Sequence, residues 1–100
     1  MTRRYRVLNQ PGIIITKHGL GRSATPWRIV HEASGCHIGP DWRTLREARA
    51  ACHEAAVETA FRADWLRPAD EVREDPWAKL FSRTLRREWE NLRPPSCLHQ

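Results

Sequence analysis

The sequence predicts an α+β fold in which a small antiparallel sheet of three or four strands is followed by two helices. Short runs of β-branched and aromatic residues occupy the part before residue 40. Helix-start patterns then appear at Thr44 and at Asp75, each followed by apolar residues spaced three and four apart. Strands followed by helices are typical of α+β domains, in which the helices cover one face of the sheet.

The first two strands are predicted from Tyr5 and Val7 and from the run Ile13–Ile15. The residues between them, Asn9–Gly12, are turn formers, so a β-hairpin is expected. Period-two alternation places Tyr5 and Val7 inward, and Arg4 and Arg6 outward with Leu8.

A third strand is predicted at Trp27–Glu32 and a fourth at Cys36–Ile38, so that the whole sheet spans residues 3–39. Alternation places Trp27, Ile29 and His31 on one face of the third strand, with its remaining side chains on the other face.

Thr44 and Glu47 form a capping-box pattern that predicts a helix over residues 45–66, because Pro68 prevents its continuation. One side of this helix carries mainly small residues, which suit close packing on a sheet. The opposite side carries a second apolar row, which predicts that the helix is covered on two sides; the row is Ala50, Val57, Phe61 and Trp65.

Asp75 followed by Pro76 is an N-cap with proline in the first turn, so a second helix is predicted over residues 76–92. Its apolar stripe includes Trp77, Phe81, Leu85 and Trp89. This stripe is expected either to pack on the first helix or to form an interface, for example in a homodimer through helix 76–92. Residues 1–93 are predicted to form one domain, and 94–100 a flexible tail.

The composition indicates an anionic partner. Seventeen Lys and Arg against twelve Asp and Glu give a formal charge of +5. The alternative explanation for the excess of arginine is a GC-rich genome that encodes Arg by default. Arginine favours planar contacts with phosphate or carboxylate. The predicted partner-binding residues lie on the sheet, the loop after its second strand and the second helix: Arg3, Arg4, Arg6, Lys17, Arg22, Arg28, Trp77, Arg83, Arg86 and Arg87.

The three cysteines do not suggest a disulfide framework, and neither a signal peptide nor a membrane-spanning run is evident, so a reducing cytoplasm is the expected compartment. Two adjacent pairs, Cys36 with His37 and Cys52 with His53, lack the spacing of zinc ligands. No local pattern joins a nucleophile to a base. Neither a metal, another cofactor nor catalysis is predicted.

In size, tryptophan content and sheet-then-helices layout, the chain resembles the short proteins of bacteriophages and mobile elements, among them the anti-CRISPR proteins. The resemblance carries no residue motif. It implies a stoichiometric inhibitor that docks on a host protein or ribonucleoprotein complex. The alternative is a small basic regulator that binds DNA or RNA.

Overall fold

The structure, a computed structural model, describes residues 4–18 and 24–92. Within these residues a three-stranded antiparallel sheet is followed by three helices. The elements in chain order are β1 (Arg4–Arg6), β2 (Ile13–Lys17), β3 (Trp27–His31), α1 (Leu45–Glu58), α2 (Ala69–Glu74) and α3 (Pro76–Asn91). The predicted α+β fold is therefore confirmed.

The strands are arranged in the order β1-β2-β3, and β1 and β2 form the predicted hairpin. Tyr5 is opposite Ile15, which in turn is opposite Ile29, so these three side chains form one row toward the core. Arg4 and Arg6 point outward and are exposed, as the alternation predicts.

The predicted fourth strand at Cys36–Ile38 is wrong: this segment forms a single bridge between His37 and Val30. The chain cannot continue along the sheet edge, because Gly39 adopts a positive φ of 72° and Pro40 follows it. Trp42 then returns to the edge and forms another single bridge, with Trp27.

Helix α1 begins where predicted, since the Thr44 hydroxyl accepts a hydrogen bond from the Glu47 N–H at 3.0 Å. Its stripe of small residues faces the core, and the buried members are Ala48, Ala51, Cys52, Ala55 and Ala56. The predicted contact between small side chains and the interior is confirmed.

The predicted extension of this helix to Leu66 is wrong, because α1 ends at Glu58. The N–H of Phe61 donates to the Ala56 carbonyl and that of Ala60 to the Val57 carbonyl, which together form a Schellman motif. Ala60 and Phe61 adopt positive φ values of 52° and 58°. Glycine usually occupies the first of these positions, and its absence here concealed the helix end.

The early end of α1 also overturns the prediction of a second buried row. Val57 is 52% exposed and Phe61 48% exposed, and Ala50 also faces solvent. Trp65 is buried, but it reaches the core from the connection that follows the helix. Helix α1 is therefore covered along its small-residue stripe and open along this row.

Helix α2 occupies the connection for which no element was predicted, and it buries Val72. Helix α3 follows after one residue, and the Asp75 carboxylate caps it by accepting the Trp77 N–H at 3.0 Å. The predicted bounds of α3 are confirmed to within one residue. Helix α3 packs on α1 in the same chain through buried side chains that include Phe81 and Leu85.

Trp65 joins the sheet to the helices. Its indole N–H donates to Oε1 of Gln10 at 2.9 Å, and its carbonyl lies 2.8 Å from Nε2 of His31. The Phe81 ring meets it edge-on, with 5.0 Å between ring centroids. The side chain and carbonyl of this one residue thus contact the β1–β2 turn, the end of β3 and α3. Among the described helices, none is both long and apolar enough to cross a bilayer.

Candidate functional site

The arginines of the outer sheet face form ion pairs with carboxylates of the same chain. Arg6 forms a two-point contact with Glu32, at 2.7 and 3.2 Å, and Arg4 lies 3.9 Å from the same carboxylate. The hydrogen bonds from Arg6 hold the pKa of Glu32 below its ordinary value. A phosphate would have to compete with Glu32 for Arg6.

Arg28 is paired in the same way. Its guanidinium contacts both carboxylate oxygens of Asp41, at 3.0 and 3.1 Å, and Nε2 of His18 lies 3.2 Å from that carboxylate. Burial raises the pKa of Asp41, yet the pKa lies below its ordinary value because the hydrogen bonds and the charge of Arg28 prevail. Arg28 therefore links the sheet edge to the turn before α1.

Of the other residues predicted around the sheet, Lys17 lines one shallow depression together with Arg4 and Arg28. Lys17 is exposed, and its ammonium lies 5.8 Å from the centre of the Trp27 ring. Arg3 and Arg22 lie outside the described residues.

Trp77, at the start of α3, is separate from the arginines predicted to act with it. The Arg62 guanidinium stacks over its ring at 5.3 Å, and the indole is only partly buried. Because 100° separates successive helical residues, Trp77 and Arg83 point about 120° apart around α3.

The three arginines of α3 have different surroundings. Arg87 lies 3.5 Å from Glu88 and 3.9 Å from Glu58, so its charge is shared within the chain. Arg83 and Arg86 are exposed and form no ion pair with any carboxylate that the structure describes. Arg83 also lines a cleft that the sequence did not predict.

This cleft has a volume of about 480 Å³ and lies between the segment Cys36–Gly39 and helices α2 and α3. Its cations are Arg73 of α2 and Lys79 and Arg83 of α3. Its apolar floor consists of Ile38, Trp65, Val72 and Ala78. We call this site the cationic cleft.

The charge in the cationic cleft is not compensated locally. No Asp or Glu is among its lining residues, and Arg73, Lys79 and Arg83 form no ion pair within residues 4–18 and 24–92. The acidic residues of α2 instead line a separate depression beside Arg67. The cleft therefore offers positive charge without an internal competitor for it.

The exposed Cys36 thiol lies in the wall of the cleft, and its pKa is below the ordinary value. The hydrogen bond with Ser34 is the largest cause, and contact with Arg73 adds to it. Cys52 is the opposite case, since burial within α1 raises its pKa to about 12. The two Cys–His pairs of the sequence are thus not brought together, and in the described part of the chain no cluster of three metal-binding side chains occurs.

His31 lines the cleft but is already engaged. Its Nε2 must donate to the Trp65 carbonyl, which can only accept. Its Nδ1 lies 2.7 Å from the Ser34 hydroxyl, whose oxygen accepts the Cys36 N–H at 3.2 Å. Both ring nitrogens of His31 therefore have partners within the chain, and these contacts hold the turn beside the cleft.

Of the three cations in the cleft, Arg83 was among the predicted partner-binding residues, and Arg73 and Lys79 were not. Both belong to the cleft because α2 folds back beside α3, and α2 is too short to show a helical period. The sequence does contain one indication of α2: Pro68 is followed by Ala69, Asp70 and Glu71, and acidic residues favour the first turn of a helix.

Comparisons with known proteins returned no match. No protein-family model, curated protein or solved structure proved similar to this chain.

Proposed function

We propose that this chain is a non-catalytic binding protein that docks stoichiometrically on an acidic surface of a partner protein. One observation carries the proposal: among the described residues the cations of the cleft, Arg73, Lys79 and Arg83, lack carboxylate partners, whereas Arg6 and Arg28 of the sheet have them. Binding sites commonly combine an apolar floor with a few charged groups, and the cationic cleft has this composition.

A phage or mobile-element inhibitor of the anti-CRISPR type, acting in a bacterial cytoplasm, would bind in this way. Such an inhibitor occupies a surface of a host protein or ribonucleoprotein complex. An acidic patch there would match Arg83 and Arg86 and would speed association.

Nucleic-acid binding is supported less well. Phosphate contacts depend on accessible Lys and Arg, and two of the sheet arginines are held by Glu32 and Asp41. A DNA or RNA regulator would depend mainly on the cations of the cleft, because the depression beside Lys17 on the sheet is lined by Arg4 and Arg28, which already contact Glu32 and Asp41.

Affinity capture with three forms of the protein tests the proposal. The forms are the wild type, Arg83→Glu with Arg86→Glu, and a control with Arg43→Glu and Arg46→Glu at the start of α1. Arg87 is left unchanged because it pairs with Glu58. Quantitative mass spectrometry of bacterial lysates should show a protein retained equimolarly by the wild type and the control, and depleted at least about tenfold by the α3 variant.

Equal retention by all three forms would refute the proposal. A titration against a generic DNA duplex at several salt concentrations tests the alternative, a regulator that binds nucleic acid. Tight binding with a steep salt slope would favour the nucleic-acid regulator over a protein partner.

A further inference from the structure

The cationic cleft has a backbone feature that narrows the kind of partner it fits. The Ile38 N–H donates to the Ile29 carbonyl at 2.7 Å, and the His31 N–H donates to the Cys36 carbonyl at 2.8 Å. These two bonds flank the antiparallel pair of Val30 and His37. In such a pair the N–H and C=O of the opposed residues point away from each other's strand.

The His37 backbone therefore presents a donor and an acceptor on the side away from β3. No described residue forms a hydrogen bond with either group. His37 also lines the cationic cleft. An open backbone edge beside a cleft is the feature that extended peptides use when they add to a sheet.

The side chains of the cleft set the chemistry of such a peptide. Arg73, Lys79 and Arg83 would repel cationic peptides and attract carboxylates. The apolar floor of the cleft, which includes Trp65 and Val72, offers a surface for one apolar side chain of the peptide. At about 480 Å³ the cleft falls within the range of roughly 300–1,000 Å³ that holds ligands of drug size.

We infer that the cationic cleft binds an extended acidic peptide segment of a partner protein. The backbone of this peptide pairs with the His37 backbone, and one apolar side chain, flanked in the peptide by carboxylates, packs on the floor of the cleft. The inference rests on the proposed function and specifies the part of the partner that is recognised. Each exposed charge pair contributes little by itself, so the backbone edge and the apolar anchor must act together with the cations.

Fluorescence anisotropy with a fluorescein-labelled acidic peptide tests the inference. The peptide has Asp and Glu on both sides of one central Leu. Three control peptides each remove one feature: Gly in place of Leu, Asn and Gln in place of the acids, and an N-methyl group on the central amide. We expect saturable one-to-one binding by the parent peptide and a loss of about tenfold or more with each control.

Protein variants locate the site. Arg73→Glu and Lys79→Glu should each weaken the peptide about tenfold, while Arg43→Glu with Arg46→Glu should leave affinity unchanged. The exposed Cys36 thiol provides a second measurement, in a Cys97→Ser background. Bound peptide should slow its alkylation by N-ethylmaleimide at least about tenfold, because Cys36 lines the cleft.

The outcomes separate this inference from the proposed function. If the peptide does not bind, or binds without protecting Cys36, and capture still depends on Arg83 and Arg86, the inference is wrong and the proposed function stands. If an oligonucleotide of equal charge displaces the labelled peptide at a lower concentration than the unlabelled peptide does, the inference is also wrong and the cleft binds nucleic acid. Failure of both peptide binding and capture removes both ideas.

Discussion

Trp65 and Gln10 form a buried hydrogen bond across the fold, with 2.9 Å between the indole nitrogen and the amide oxygen. The amide nitrogen of Gln10 donates in turn to the Asn9 carbonyl at 2.7 Å. The β1–β2 turn is thus attached to the segment that leads from α1 into α2. This segment supplies part of the floor of the cationic cleft, so the contact also positions the site.

Replacing Trp65 by Phe should destabilise the protein more than replacing Trp42 by Phe. Both indoles are buried, but only Trp65 has a hydrogen-bond partner, whereas the Trp42 indole nitrogen has none among the described residues. Trp65→Phe leaves the Gln10 oxygen unpaired, at a cost of about 1–3 kcal/mol beyond the lost packing. Urea unfolding of both variants measures the difference, and equal losses would contradict it.

Gly12→Ala should be much more damaging than Gly35→Ala. Both glycines have positive φ, of 98° and 75°, so each substitution introduces backbone strain of about 1–2 kcal/mol. A Cβ at Gly12 would also lie 2.6 Å from the Trp65 carbonyl oxygen, while nothing lies within 4 Å of one at Gly35. Thermal unfolding should show a larger fall in Tm for Gly12→Ala, and a matching fall for both would argue against close packing at this turn.

Ala60→Gly should stabilise the protein by about 1 kcal/mol, because glycine adopts positive φ without strain at the C-terminal position of a Schellman motif. Ala50→Gly is the matched control, since Ala50 is exposed within α1 and its replacement should cost about 1 kcal/mol. The midpoint of urea unfolding should therefore rise for Ala60→Gly and fall for Ala50→Gly, relative to the wild type. Destabilisation by both substitutions would show that α1 does not end at this turn.

Acid should weaken the fold partly through Asp41. Its pKa is lower in the folded chain than in the unfolded one, so its contribution to stability is complete above the unfolded value of about 3.9 and disappears as the pH falls through the folded value. Asp41→Asn should flatten the dependence of Tm on pH below about 4, leaving the share due to Glu32. Glu54→Gln, at an exposed position on α1, is the control and should leave the dependence of Tm on pH unchanged. If Asp41→Asn also shows the wild-type dependence, Asp41 does not contribute to acid sensitivity.

Patterns that repeat within one element could be read from the sequence. Alternation identified the inward residues of β1 and β3, and local caps identified the starts of α1 and α3. The end of α1 could not be identified, because Ala60 holds a conformation for which its residue type gives no indication.

The candidate site was less accessible to prediction than the fold. The basic residues on the sheet were identified, but their partners Glu32 and Asp41 lie 26 and 13 residues away from Arg6 and Arg28. Their pairing depends on how the sheet edge and the following turn come together. The cationic cleft likewise combines residues from α2, α3 and the Cys36–Gly39 segment, which no single periodicity relates.

Recognition is expected to use the unpaired cations beside the cleft and not the paired arginines of the sheet. Isothermal titration calorimetry with the captured partner can compare two double variants, one with Lys79→Glu and Arg83→Glu in the cleft and one with Arg4→Glu and Arg6→Glu on the sheet. We expect the cleft variant to lose at least about tenfold in affinity and the sheet variant to change little. Unchanged affinity for the cleft variant, with a loss for the sheet variant, would show that the partner binds the sheet instead.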